Sequence, residues 1–190
     1  MNRDIVWATW NGDGLEHLRL NDSIDGGFVA DSALIAVIDD VAYRIRYRAK
    51  VDSTWRTRSI WVDVEDPDGQ RRTVALIGDG EGNWTDTAGE PRLDLKDCLD
   101  IDIQATPFTN TLPIRRLGLA ETQVEPISVV YFAIPSLEVT PMIQRYTGLA
   151  ADRFLYESMT ADFVRELDVD DDRFVKTYPD LFRRVWTTSR

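Results

Sequence analysis

The sequence predicts an all-β fold, mainly antiparallel and with little helix, in a single domain that covers residues 1–190. Three observations predict it. Apolar and charged residues alternate along several runs, turn-forming dipeptides separate these runs, and no long stretch has the spacing of an amphipathic helix. A chain of 190 residues is also long enough to bury a core of its own.

The clearest alternation is in the segment 41–51, where one face is apolar and the other is basic. The apolar face holds Tyr43, Ile45 and Tyr47, and the basic face holds Arg44, Arg46 and Arg48. Because successive side chains of a strand point to opposite sides, this segment is predicted to be a half-buried strand. Similar patterns predict further strands at 15–20, 28–38, 60–65, 72–77, 99–104, 127–134, 137–146, 154–159, 163–169 and 173–186, the last with a break at Tyr178-Pro179.

Turn chemistry separates the strands, as in Asn11-Gly12, Asp25-Gly26 and Pro67-Asp68-Gly69. Such residues supply the backbone angles that tight hairpins need, so the strands are expected to form an antiparallel meander. The glycines at 78, 80 and 82 are interpreted as a turn, because no helix opens behind them to hold a phosphate. A short helix is compatible with 150–154 or with part of 178–185.

Charge and cysteine usage exclude several functional classes. The net charge of −11 and the pI near 4.5 argue against a nucleic-acid partner and against attachment to an anionic membrane. Cys98 is the single cysteine and His17 the single histidine, so we expect no intrachain disulfide, no zinc site, no other metal and no cofactor. No secretory signal and no apolar run of membrane-spanning length is visible, so the expected location is the cytoplasm.

Asp100 and Asp102 are expected on one face of a strand, about 7 Å apart by the strand rise. Paired carboxylates can carry out general acid–base chemistry. They can equally form cross-strand ion pairs with the arginine row of the segment 41–51. Both interpretations stay open at this point.

The segment 106–117 is unusual because Pro107 and Pro113 bracket Thr109 and Asn110, and Arg115 and Arg116 follow. Proline lacks a backbone donor, so the segment cannot be an interior strand throughout. It is predicted to be a rigid loop. Such a loop is either a corner of the fold or the rim of a ligand site.

The run from Cys98 to Ile103, continued by 106–117, resembles the signature of the bacterial putative glycolipid-binding proteins, a family once described as a domain of unknown function. Other segments match the same family in the expected order along nearly the whole chain. They are Tyr43–Tyr47, Asp52–Trp55, Gly82–Trp84, Gln144–Tyr146, Tyr156–Ser158 and Tyr178–Phe182.

The resemblance implies a spiralling β-roll or an open, barrel-like curved sheet around an apolar cavity, similar to bacterial lipoprotein carriers and a mycobacterial glycolipid carrier. It implies non-catalytic binding of a lipid or glycolipid. The candidate ligand-binding residues are Tyr43, Tyr47, Trp61, Asp100, Asp102, Thr109, Asn110, Arg115, Arg116 and Tyr156.

Two alternatives remain. The first is an enzyme for a small polar substrate, in which Asp100, Asp102 or Glu157 acts as acid or base and Arg44, Arg46 or Arg116 orients an anion. The second is a β interaction module that forms a homodimer through exposed edge strands.

Overall fold

The structure is a computed structural model that describes residues 2–188. These residues form fourteen strands in one open, curved sheet, together with one α-helix, α1, and a short 3-10 helix at Leu93–Leu95. The elements are β1 Arg3–Thr9, β2 Leu15–Asp22, β3 Phe28–Ile38, β4 Val41–Val51, β5 Thr57–Glu65, β6 Arg71–Gly78, β7 Trp84–Asp86, β8 Asp100–Ile103, α1 Phe108–Leu117, β9 Val124–Phe132, β10 Val139–Ala150, β11 Arg153–Ser158, β12 Phe163–Val169, β13 Val175–Tyr178 and β14 Phe182–Thr187.

Most strands pair with their neighbours in sequence, which confirms the predicted antiparallel meander. β1 pairs with both β2 and β14, so the first and last strands lie side by side in the middle of the sheet. β8 departs from the meander, because it pairs with β9 in parallel. The two edges of the sheet are β7 and β8, which have three and four residues. Dimerisation through these edges stays a prediction.

The alternation of β4 separates the inside of the sheet from the outside. Ile45 and Tyr47 are buried, whereas Arg44, Arg46 and Arg48 are exposed. The apolar face therefore turns toward the interior, as half-burial requires. The interpretation that these arginines meet Asp100 and Asp102 is wrong, because the arginine row lies on the outer surface.

The segment 106–117 is mostly helical, which corrects the predicted rigid loop. Pro107 directly precedes α1, where a missing N–H costs little. Pro113 follows the first turn, so it removes one intrahelical hydrogen bond. Gly118 ends the helix in the left-handed conformation, with φ 57°. The prolines obscured the helix in the sequence, and burial within the sheet stabilises it.

The helix α1 fills the concave side of the sheet. All its residues from Phe108 to Ile114 are buried. The Phe108 ring stacks against Tyr47 on β4, with centroids 6.2 Å apart, and against Phe174 beside β13, at 6.5 Å. Because one ring contacts two distant parts of the sheet, α1 holds the roll together from within. Most of the interior is therefore a packed core.

Other differences from the predicted elements are local. Neither predicted short helix forms: β11 begins at Arg153, and the break in 173–186 is a turn between β13 and β14. The strand β1 was not predicted. Its sequence has four consecutive apolar residues, Ile5–Ala8, and therefore no alternation, and Trp7 and Ala8 are both buried.

Candidate ligand-binding cavity

A half-open cavity of about 330 Å³ lies beside the first turn of α1. Its walls come from β8 to β12 and from the turn between β13 and β14. Most of the lining is apolar or aromatic: Ile103, Tyr131, Met142, Tyr156, Ala161, Phe163, Tyr178, Leu181 and Phe182. The polar lining residues are Asp102, Gln104, Thr106, Asn110 and Ser158. We call this space the aromatic cavity.

Asp102 is the acidic group of the aromatic cavity. Its Oδ1 accepts a hydrogen bond from the Thr109 hydroxyl at 3.1 Å, and its Oδ2 accepts one from the Gln144 amide at 2.6 Å. Burial raises the pKa of Asp102, and these two hydrogen bonds oppose that effect. Both donors are neutral, so they orient the carboxylate without cancelling its charge.

Asn110 is fixed beside Asp102 by a buried tyrosine. The Tyr146 hydroxyl donates to Asn110 Oδ1 at 2.8 Å, and burial raises the pKa of Tyr146 well above its usual value. Because the oxygen of the Asn110 amide is already engaged, its NH₂ group is the part that can donate to a ligand. Asp102 and Asn110 together offer an acceptor and a donor at one end of the cavity.

Aromatic rings form much of the cavity wall and contact one another edge to face. The ring centroid of Tyr156 lies 5.9 Å from that of Phe163 and 6.3 Å from that of Tyr178. The centroids of Tyr178 and Phe182 are 6.2 Å apart. Burial raises the pKa of Tyr131 to about 12, so its hydroxyl is neutral at ordinary pH. This wall can cover an apolar chain or the face of a sugar ring, while the tyrosine hydroxyls can still form hydrogen bonds.

A second cavity of about 360 Å³ adjoins the first. The two share Gln104, Leu181 and Phe182 in their linings. The rest of this adjoining cavity includes Trp10 and Ile38. The turn that carries Leu181 and Phe182 therefore separates two apolar spaces, and an extended ligand could contact both.

Three of the predicted ligand-binding residues line the aromatic cavity: Asp102, Asn110 and Tyr156. Thr109 holds Asp102 from the helix. Asp100 lies elsewhere, fully buried and closed off by Arg116, whose Nη2 and Nε donate to its two oxygens at 2.5 and 3.1 Å. Burial raises the pKa of Asp100, and Arg116 opposes this effect.

The other predicted residues are not brought to the cavity. Tyr47 is buried in the core, where its hydroxyl donates to Glu16 at 2.7 Å. The Arg115 guanidinium lies over Trp55, 4.4 Å from the ring centroid. Tyr43 and Trp61 are partly buried on strands that do not line the cavity.

The residues of the enzyme alternative do not form one site. Arg116 occupies both oxygens of Asp100, and Arg145 pairs with Glu157. Arg44 and Arg46 are exposed on the outer face. Of the three carboxylates in the enzyme alternative, only Asp102 lines the cavity. The cavity therefore lacks the pair of acidic groups that this alternative requires.

Several buried polar residues were not among the candidates taken from the sequence. Gln144 on β10 is one of them. Another is Glu16 on β2, which is 3% exposed and whose Oε1 accepts from Tyr47 and from Ser32, the latter at 2.8 Å. A signal for Glu16 was present, because Leu18 shares its face of the strand and is predicted to point inward.

Cys98 and His17 lie in different environments. Cys98 is fully buried, and burial raises the pKa of its thiol to about 11. His17 is exposed on the surface and contacts Asp4 at 2.8 Å. Within residues 2–188, no group of three or more His, Cys, Asp or Glu side chains could hold a metal ion. The helices of the same range are all too short or too polar to cross a membrane.

The comparison with known families bears directly on this fold and cavity. The model of the family described as "Putative glycolipid-binding" matches residues 4–184. The chain belongs to this family. A solved structure of a DUF1089 family protein from Pseudomonas aeruginosa is 40% identical, with 91% of this chain and 92% of that chain covered and a TM-score of 0.84.

A more distant structure supports the fold alone. It is a beta-barrel-like protein of the domain of unknown function DUF1849 from Brucella abortus, 9% identical, with 98% of this chain and 97% of that chain covered and a TM-score of 0.55. The search of the curated proteins returned no match. The family and the fold predicted from the sequence are thus confirmed.

Proposed function

We propose that the chain binds an amphipathic small molecule, a lipid or a glycolipid, in the aromatic cavity. The observation that carries this proposal is the composition of the walls. Aromatic and apolar side chains cover most of the surface, and a few polar groups, among them the hydrogen-bonded Asp102 and Asn110, complete the lining. Small-molecule sites commonly have this arrangement, and the volume of about 330 Å³ is sufficient for one.

In this proposal, different parts of the ligand lie against different walls. The apolar part lies against Tyr156, Phe163 and Phe182, and the polar head lies against Asp102 and Asn110. An extended apolar chain continues past Leu181 and Phe182 into the adjoining cavity. The family description agrees with such a ligand.

Ligand binding can be tested by displacement of a neutral apolar dye, N-phenyl-1-naphthylamine, and by native mass spectrometry of the purified protein. The blocking variant is Ala161→Trp, because Ala161 lines the cavity and is exposed at a turn, so the larger ring is not forced into the core. The matched control is Val164→Trp, which changes a nearby exposed residue that does not line the cavity.

The proposal predicts dye binding that an alkyl glycoside displaces and that Ala161→Trp weakens by about tenfold, or ~1.4 kcal/mol. Val164→Trp should bind like the wild-type protein. Absence of both dye binding and co-purifying lipid would overturn the proposal, and so would equal binding by the two tryptophan variants.

A further inference from the structure

The charged residues that line the two cavities are all acidic. Asp102 lines the aromatic cavity, and Asp13 and Asp180 line the adjoining cavity. Among the residues that the structure describes, no lysine, arginine or histidine lines either space. A negatively charged head group would therefore meet repulsion there, and the net charge of −11 adds to it at longer range.

Asp100 and Asp102 differ in how their charges are compensated. Both side chains contact α1, but Arg116 forms two hydrogen bonds to Asp100, whereas Asp102 is held by the neutral groups of Thr109 and Gln144. A partly buried carboxylate is costly without a cationic partner. The missing positive charge at Asp102 can come from a ligand.

The aromatic wall is suited to the same kind of ligand. Tyr131, Tyr156, Tyr178 and Phe182 line the cavity that Asp102 enters. The faces of such rings attract cations, and clusters of aromatic rings bind quaternary ammonium groups in proteins. An acidic group beside several rings is therefore a site for a positively charged nitrogen.

One arginine lies close to this wall without lining the cavity. The Arg165 guanidinium is 4.8 Å from the centroid of Phe163, and its Nη2 pairs with Asp180 at 3.3 Å. The positive charge of Arg165 is thus compensated by Asp180. Because Arg165 already covers the Phe163 ring, the rings considered for the ligand are those of Tyr131, Tyr156, Tyr178 and Phe182.

We propose that the aromatic cavity selects amphipathic ligands whose head group carries an amine cation, either protonated or quaternary. The nitrogen lies between the Asp102 carboxylate and the aromatic rings, and the apolar tail lies along the remaining wall. This inference rests on the proposed function and names the class of head group that the same site prefers.

The test compares three amphiphiles that share one decyl chain and differ in charge: decyltrimethylammonium, decyl glucoside and decyl sulfate. Each amphiphile is titrated against the protein-bound neutral dye, at concentrations below that at which it forms micelles, and the displaced dye is measured. The proposal predicts that the ammonium compound binds about tenfold more tightly than the glucoside, or ~1.4 kcal/mol, with the sulfate weakest. Asp102→Asn should remove most of this preference. The matched control is Asp171→Asn, which changes the net charge equally at an exposed residue away from the cavity.

The possible outcomes separate this inference from the proposed function. Glucoside binding as tight as or tighter than ammonium binding would overturn the amine preference and leave the proposed function standing. Failure of all three amphiphiles and of the dye to bind would overturn both. The ranking by the wild-type protein decides the charge preference even if Asp102→Asn does not fold. Loss of the preference in Asp171→Asn would show that net charge, and not Asp102, causes it, which also contradicts the proposal.

Discussion

Asp100 and Arg116 form a buried ion pair between β8 and α1. The Arg116 Nη2 lies 2.5 Å from Oδ2 of Asp100, and the Asp100 side chain is completely buried. Two residues farther along the same strand, Asp102 lines the aromatic cavity and has no cationic partner among residues 2–188. The first carboxylate therefore fastens the helix to the sheet, and the second is available for a ligand.

Arg116→Met is expected to destabilise the protein strongly. The variant leaves the Asp100 carboxylate buried without its counter-charge, and breaking such a pair costs about 3 kcal/mol or more. The free energy of unfolding in urea measures the effect.

The neighbouring variant Arg115→Met is the matched control on the same helix. Arg115 stacks on Trp55, so its loss should cost about 1 kcal/mol. Equal losses from the two variants would contradict the role given to the pair of Asp100 and Arg116.

Phe108→Ala tests whether α1 is part of the core. Phe108 is fully buried and stacks on both Tyr47 and Phe174, so its removal leaves a cavity between two parts of the sheet. We expect a loss of about 4 kcal/mol in the free energy of unfolding. A loss below ~1 kcal/mol would mean that the helix is not packed inside the sheet.

Two threonines on α1 provide a matched comparison for the support of Asp102. The Thr109 hydroxyl donates to Asp102, whereas the buried Thr111 hydroxyl has no hydrogen-bond partner among the described residues. Thr109→Val should lower the free energy of unfolding by about 1 kcal/mol and weaken dye binding, because Asp102 loses one of its two donors.

Thr111→Val should be neutral or slightly stabilising, because it removes an unsatisfied buried hydroxyl from a site of the same shape. Urea unfolding and dye titration of both variants check the comparison. A loss of binding by Thr111→Val alone would contradict it.

Glu16→Gln is expected to change how stability depends on pH. Burial raises the pKa of Glu16 above its usual value near 4.5, and hydrogen bonds from Thr106, Tyr47 and Ser32 oppose this effect, as does the electrostatic influence of the neighbouring His17. Since the folded state holds the proton more tightly than the unfolded state, the wild-type protein loses stability as pH rises from the unfolded pKa through the folded pKa.

Glutamine imitates the protonated acid, so the variant avoids this loss. Its advantage in the free energy of unfolding over the wild-type protein should grow from pH 4 to neutral pH. Urea unfolding at several pH values measures the difference. A constant difference across this range would contradict a raised pKa for Glu16.

Alternation and turn chemistry were sufficient to predict most of the sheet. The segment 41–51 shows why: along its middle, the buried Ile45 and Tyr47 alternate with the exposed Arg44, Arg46 and Arg48, as their polarity indicates. When one face of a strand is exposed to solvent and the other is buried, the alternation of polar and apolar residues shows which face is which. Trp7 and Ala8 show the limit, because they belong to a run of four apolar residues, Ile5–Ala8, which has no alternation, and both are buried.

The helix α1 and the cavity could not be predicted in the same way, because both are formed by contacts between residues that are distant in sequence. Pro107 and Pro113 indicated a loop, and only burial by the sheet makes 108–117 helical. Asp100 receives Arg116 from that helix, 16 residues farther along the chain, whereas Asp102 receives Thr109, 7 residues farther along, and Gln144 from β10. Local sequence cannot show which of two adjacent carboxylates receives the arginine.

The central claim, that an amphiphile binds in the aromatic cavity, is tested most directly by methionine-methyl NMR. Of the three methionines, Met142 lines the cavity, Met159 is exposed at the end of β11, and Met1 lies outside the described residues. Decyltrimethylammonium and decyl glucoside are titrated in turn into protein labelled at the methionine methyl groups. We expect a saturable shift of the Met142 resonance with at least one of them and little change at Met159. An unchanged Met142 resonance with both compounds would contradict the claim.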